Sequence, residues 1–254
     1  MLTCDVVGHG PAILFLHGFP LDRWMWHPQV AALDGYRRIA PDLPGLGESP
    51  AAEGPATMAS YAAELGRCLD QLGVESVVLC GLSMGGYVAF ECLRQWPGRI
   101  AGLALMDTRA DADTEEGRQG RDRLIADVQA RGAAAAADAM MPRLVGATTA
   151  ASRPAWLSEL RQRIERTSTG GVVAALEAMK GRPDSRPLLG TVSVPTLVLV
   201  GAEDVITPPA LAEEMARGIP GATLVVVQGS GHLPTLEQPE AVTEALRSLL
   251  RRVV

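Results

Sequence analysis

The chain has 254 residues, an apolar share of 47% and a formal net charge of −6, a profile suited to one large globular domain or a domain with an insertion. Acidic and basic residues are interspersed and Lys180 is the only lysine, so no nucleic-acid surface and no basic membrane anchor is expected. Four cysteines (Cys4, Cys68, Cys80, Cys92) show neither metal-ligand spacing nor the framework of a small secreted domain, and a reducing cytoplasm is the expected setting.

Met1-Leu2-Thr3-Cys4-Asp5 carries no basic region and no apolar run of the kind that opens a signal peptide. No apolar stretch reaches transmembrane length. Short runs rich in β-branched and aliphatic residues predict strands at 13–16, 38–40, 77–80, 100–106, 196–200 and 223–227. Helix-like stretches lie between several of them, so the expected core is a mostly parallel sheet covered on both faces. Cys80 falls in a predicted strand, and Cys68 and Cys92 in helical segments, where each reads as a small buried apolar residue.

Between about Thr108 and Gly190 strand signals vanish, and helical periodicity predicts helices at 114–131, 133–141, 152–168 and 171–181. This reads as a helical insertion, giving a core of residues 1–107 and 191–254 and a cap of residues 108–190. Further on, Thr207-Pro208-Pro209 predicts a helix with a threonine N-cap and proline at its first position, and Gln238-Pro239-Glu240 opens the last helix similarly.

The chemistry centres on Gly81-Leu82-Ser83-Met84-Gly85, which joins the run Val77-Val78-Leu79-Cys80 to a predicted helix. A serine on a strand-to-helix turn, flanked by glycines, is lifted to the sheet edge at the positive end of the helix. A serine hydroxyl needs a base to become a nucleophile. Of four histidines, His232 sits in the turn-rich Gly229-Ser230-Gly231-His232-Leu233-Pro234 after the last predicted strand. Loops after parallel strands share one edge, so His232 can reach Ser83. The orienting acid is expected at the end of another strand. Asp204 in Gly201-Ala202-Glu203-Asp204 is favoured, Asp107 after 100–106 is the alternative, and the adjacent Glu203 is expected to point elsewhere.

Two amides are expected to hold a developing oxyanion: Met84 N–H, just after the nucleophile, and Phe19 N–H in Leu16-His17-Gly18-Phe19-Pro20. His17 reads as structural. Trp24 and Trp26 follow this loop and read either as pocket wall or as core. In the insertion, Met140, Met141, Leu144, Trp156 and Met179 are candidates, with Trp24, for an apolar substrate pocket, and helix packing is the competing reading of each.

Together, His17-Gly18-Phe19-Pro20, Pro41-Asp42-Leu43-Pro44-Gly45-Leu46-Gly47-Glu48-Ser49, Gly81 to Gly86, Asp204 and Gly231-His232 resemble the α/β-hydrolases, and specifically the bacterial serine carboxylesterases with a small helical cap. Met106-Asp107-Thr108-Arg109-Ala110 and Leu82-Ser83-Met84-Gly85-Gly86-Tyr87 resemble a thermostable branch acting on short acyl esters. The resemblance implies a twisted sheet of about eight strands with a helical cap insertion. Only residues 3–7 precede Ile13, so the usual first hairpin is expected to be truncated. Asp42 and Ser49 read as structural members of a loop near the site.

The expected activity is hydrolysis of a small-molecule ester through an acyl-enzyme on Ser83, with no metal or organic cofactor. A serine at position 83 disfavours dehalogenase and epoxide-hydrolase chemistry, which needs aspartate there. Enol-lactonase, C–C hydrolase, thioesterase and perhydrolase activities keep serine and stay open, as does a ligand receptor with little turnover. A lactonase for carboxylate-bearing lactones would place arginine at the pocket, and Arg109, Arg143 and Arg182 are the candidates, with solvation the competing reading of each.

Overall fold

The computed structural model describes residues 1–253. The first half of the chain runs β1 (Cys4–Val7), β2 (Ala12–Leu16), a 3₁₀ turn at Arg23–Trp26, α1 (His27–Ala32), β3 (Arg37–Pro41), α2 (Met58–Gln71), β4 (Val77–Leu82), α3 (Met84–Gln95) and β5 (Ile100–Met106). Six helices follow: α4 (Glu115–Arg131), α5 (Ala133–Leu144), α6 (Ala147–Ser152), α7 (Pro154–Glu165), α8 (Thr169–Lys180) and α9 (Arg186–Leu189). The chain then returns to the sheet with β6 (Thr196–Gly201), α10 (Pro209–Gly218), β7 (Thr223–Val227), α11 (Pro234–Glu237) and α12 (Pro239–Leu250).

The seven strands form one sheet in the order β1-β3-β2-β4-β5-β6-β7. All neighbours are parallel except β1 and β3. Strands β2, β4 and β6 are buried along their whole length, as a sheet covered on both faces requires. The expectation of about eight strands is corrected to seven among the described residues. The N-terminal segment makes no hairpin with β2. It pairs antiparallel with β3, Cys4 opposite Pro41 and Val7 opposite Arg38.

Two other expectations change at prolines. The helix predicted over 152–168 is one helix that starts at Pro154, and a separate short helix, α6, precedes it, because Pro154 excludes the helical region at Arg153, whose backbone sits at φ −130°, ψ 52°. The helix after β6 starts at Pro209 rather than after a Thr207 cap, because Pro209 holds the preceding Pro208 in extended backbone at φ −54°, ψ 154°. No helix among the described residues is long and apolar enough to cross a membrane.

The consequence for function is a single edge. Because β2, β4, β5, β6 and β7 run parallel, the residues just after them (Phe19, Ser83, Asp107, Asp204 and His232) emerge together where the six-helix insertion also joins the core.

Candidate active site

Ser83 sits between β4 and α3 with φ 53° and ψ −114°, a region side-chain-bearing residues seldom occupy. The turn is over-determined by backbone bonds: Ser83 N–H donates to the Met106 carbonyl at 2.9 Å, and the Ser83 carbonyl accepts from Gly86 N–H at 2.9 Å and from the Thr108 hydroxyl at 2.8 Å. Close packing demands the neighbouring glycines. A Cβ on Gly81 would fall 2.4 Å from the Gly85 carbonyl oxygen, and one on Gly85 would fall 2.2 Å from that of Leu16. The strain therefore aims the hydroxyl off the sheet edge while β4, β5 and the loop after β2 clamp the turn.

The Ser83 hydroxyl lies 2.8 Å from His232 Nε2, and His232 Nδ1 lies 2.7 Å from Asp204 Oδ2. Asp204 is buried, and its carboxylate also accepts from the Thr207 hydroxyl at 2.6 Å and from the amides of Ile206 at 2.8 Å and Thr207 at 3.1 Å. Burial pushes its pKa up, but the facing His232 and these donors outweigh burial and hold the carboxyl below its ordinary range. An ionised Asp204 can only accept, so Nδ1 carries the imidazole proton and Nε2 is left to accept from Ser83. The arrangement can take a proton from the hydroxyl and hold the resulting imidazolium against a fixed anion.

Asp107 is buried beside this pair, in a positive-φ backbone at 44°. Its Oδ1 accepts from Gly201 N–H at 2.9 Å, while its Oδ2 is buried with no hydrogen-bond partner among the described residues, near Asp204. Burial, then the charge of Asp204, push the Asp107 carboxyl well above the usual carboxylate range. Asp107 therefore holds its proton more firmly than Asp204 does, and the imidazole bonds Asp204. Glu203 turns away to accept from Thr148 N–H and the Thr148 hydroxyl.

The loop after β2 lies against the serine: a Cβ on Gly18 would fall 3.3 Å from Ser83 Cβ. Among the described hydrogen bonds, neither Phe19 N–H nor Met84 N–H donates to a protein acceptor. His17 holds the loop, with Nε2 accepting from Leu43 N–H at 2.9 Å and Nδ1 bonded to the Gly18 carbonyl at 3.1 Å. Burial lowers its basicity, so the ring stays neutral, as the amide donor at Nε2 requires. Asp42 accepts from the amides of Arg23 and Glu48, each at 2.8 Å, and from the Arg23 guanidinium. Ser49 Oγ donates to the Asp42 carbonyl at 2.8 Å.

The pocket candidates scatter. Leu144 is buried, and its carbonyl accepts from His232 N–H at 3.1 Å. Met140 and Met141 are half-buried at the end of α5, packed on the hydrophobic core. Trp24 is a cap–core contact, with the Arg163 guanidinium 4.2 Å above its ring. Trp26 is core, packed on Phe15 at 5.0 Å. Trp156 carries Arg153 over its ring, and Met179 is buried against Arg121 and Arg182. None of the described contacts ties Trp156 or Met179 to Ser83 or His232. Clefts of 620 and 500 Å³ flank the loop from Pro44 to Ala56, and their linings include none of these residues.

One group among the described residues has metal-ligand geometry: Asp107, Asp204 and His232, whose ligand-type atoms lie within 4.8 Å of one another. Both ring nitrogens of His232 are already bonded, so the cluster offers no free imidazole lone pair and fits an acid–base pair rather than a metal centre. Thr207, Thr108, Arg23 and Glu237 are the supporting residues that sequence reasoning missed. A carboxylate at Glu237 inside the apolar stretch Leu233-Pro234-Thr235-Leu236 was the available signal for the last of them.

Residues 11–239 match the family model for the alpha/beta hydrolase fold. The chain belongs to the alpha/beta hydrolase family. Among solved structures, this hydrolase superposes on a thermophilic esterase from Thermogutta terrifontis with a TM-score of 0.96 and 46% identity, covering 99% of this chain and 93% of that one. It superposes on the enol-lactonase from Burkholderia xenovorans with a TM-score of 0.90 and 30% identity, covering 98% and 96%. Among curated proteins, the hydrolase is 28% identical to 3-oxoadipate enol-lactonase 2 of Acinetobacter baylyi over 95% of this chain and 89% of that one.

Proposed function

We propose that this hydrolase is a serine carboxylesterase acting on short acyl esters. The observation that carries the reading is the unbroken relay from the Ser83 hydroxyl through both His232 nitrogens to Asp204, all within 2.8 Å per link. In the first step His232 Nε2 takes the Ser83 proton as the oxygen attacks the ester carbonyl. The amides of Met84 and Phe19 hold the tetrahedral oxyanion, a contribution of about 3–4 kcal/mol per preorganised donor. His232 then protonates the departing alcohol, and the same imidazole activates water to release the acid. The Asp204 anion and the Thr207 hydroxyl keep the ring in its working tautomer throughout.

Two of the three candidate arginines support ester over carboxylate-bearing lactone, while the third, Arg143, is exposed with no described carboxylate partner. Arg109 is paired with Asp111, and Arg182 is paired with Asp113 at 2.6 Å while lying 4.2 Å over the Tyr87 ring. Each guanidinium already has an anion, so neither is a free clamp for a substrate carboxylate. The similarity to enol-lactonases supports lactone opening as the second reading, because the same serine chemistry cleaves both bonds. A cytoplasmic setting is proposed with it, on the burial of the Cys68, Cys80 and Cys92 thiols as core residues.

The test is steady-state hydrolysis of p-nitrophenyl esters from acetyl to palmitoyl, with a methyl-substituted enol-lactone alongside. Sustained turnover peaking at short acyl chains is expected. Negligible ester turnover with rapid lactone opening would move the substrate to lactones, and a single burst without turnover would point to a receptor.

A further inference from the structure

Residues 144–148, joining α5 to α6, form a strap across both loops that carry the acid and the base. The Leu144 carbonyl accepts from His232 N–H at 3.1 Å, Gly146 N–H donates to Glu237 Oε2 at 2.8 Å, and Thr148 N–H donates to Glu203 Oε2 at 2.9 Å, beside Asp204. Strap and histidine loop meet backbone to backbone. A Cβ on Gly231 would fall 2.2 Å from Gly146 N, and a Cβ on Gly146 would fall 2.8 Å from Gly231 N. Only paired glycines allow that approach.

Glu237 is the node of this contact. It is 6% exposed and sits on the one-turn helix α11. Its Oε1 accepts from the amides on either side of His232, Gly231 N–H at 2.9 Å and Leu233 N–H at 3.1 Å, and from the Ser230 hydroxyl at 3.3 Å. Its Oε2 takes the strap amide of Gly146. A buried carboxylate whose charge is met by three backbone amides and a hydroxyl is a fixed point around which backbone is ordered.

We propose that Glu237 is a positioning residue: one oxygen fixes the loop that aims His232 and the other fixes the cap strap, so the seating of the cap and the aim of the histidine are one coupled arrangement. The inference rests on the reading of His232 as the base. It makes this end of the cap a bolted part of the catalytic frame rather than a freely opening lid, and it gives the cap a route to kcat that does not pass through substrate contact. Its chemistry separates two substitutions. In Glu237→Gln the side-chain carbonyl can still accept from Gly231 and Leu233, but the amide group then meets Gly146 N–H donor to donor, and the strap bond is lost. In Glu237→Ala both sets are lost.

The experiment is steady-state kinetics on p-nitrophenyl acetate, with thermal unfolding as a check of the fold and proton NMR of the downfield His232 Nδ1–H. Glu237→Gln is expected to lower kcat by about tenfold and Glu237→Ala by about 100-fold, with KM changed less than about threefold, because a misaimed base slows chemistry without weakening binding. The Nδ1–H resonance is expected to shift or broaden in Glu237→Gln. Gly146→Ala, which wedges the same contact, is expected to lower kcat too, and combining it with Glu237→Gln is expected to cost less than the sum of the two in log kcat. Unchanged kcat in Glu237→Gln, a loss carried by KM with the Nδ1–H resonance unmoved, or fully additive losses would each overturn the proposal. Glu237→Gln keeps it testable if the alanine variant fails to fold. His232→Ala separates the two levels: residual full activity there would remove the base itself, whereas an inactive His232→Ala beside a fully active Glu237→Gln removes only the coupling.

Discussion

Replacing Ser83 with alanine lowers ester kcat/KM by about 10⁴–10⁶-fold and leaves the fold intact, with His232→Ala close behind, because nucleophile and base act as one unit. The bonds that clamp the strained turn come from the Ser83 backbone, to Met106, Gly86 and Thr108, and they survive the substitution. The hydroxyl itself bonds His232, so its removal costs proton chemistry and little else. His232→Ala has a structural price as well, since it leaves the buried Asp204 anion without the ring that faces it. Steady-state kinetics with thermal unfolding checks both. Retention of activity to within tenfold in folded Ser83→Ala would remove the mechanism.

The two aspartates are expected to diverge sharply. Asp204→Asn lowers kcat by about 10²–10⁴-fold, since an amide facing His232 Nδ1 stabilises the wrong tautomer and leaves Nε2 unable to accept from Ser83. Asp107→Asn retains activity to within about tenfold, because asparagine copies a neutral carboxyl: its oxygen can still accept from Gly201 N–H and its amide can donate toward Asp204. The pH dependence of stability follows from the same asymmetry. Asp107 keeps its proton in the folded protein at pH values where the unfolded chain has lost it, so its contribution to stability falls as pH rises above about 3.9, the ordinary carboxyl value. Asp204 is depressed, so its contribution is present above that value and is lost as pH falls through its folded-state constant. The two carboxyls face each other and titrate as a pair. Denaturant unfolding above about pH 4 is therefore expected to show Asp107→Asn gaining on the wild type as pH rises, until the folded-state carboxyl ionises. A larger kinetic loss in Asp107→Asn than in Asp204→Asn would reassign the acid.

Much of this site was legible from strand ends. Once Val77-Val78-Leu79-Cys80 is taken as a parallel core strand, Ser83 must emerge at the same edge as the residues following 196–200 and 223–227, and the order serine, aspartate, histidine follows from the chain. What could not be read was the choice among competing partners over long range. Thr207 has the local pattern of a helix cap, yet the extended Pro208 moves the helix start on to Pro209, and the Thr207 hydroxyl donates to the buried Asp204 carboxylate instead. Arg109 and Arg182 look like substrate clamps in sequence, and Asp111 and Asp113, close by in the chain, neutralise them. The first strand pairs with β3, two places from its sequence neighbour, through backbone bonds that composition does not encode. Glu237 is the clearest case: its partners Gly146 and Gly231 come from the cap and the histidine loop, and only the folded chain brings them together.

The central claim is that Ser83 carries the acyl group. The measurement that tests it most directly is intact-mass and peptide mapping of the enzyme after reaction with a p-nitrophenyl organophosphate, with residual ester activity followed in parallel. One equivalent of phosphoryl adduct on the peptide containing Ser83, formed in step with complete loss of activity and absent in His232→Ala over the same time, is the expected result. An adduct on another residue, or full activity with Ser83 modified, would contradict the account.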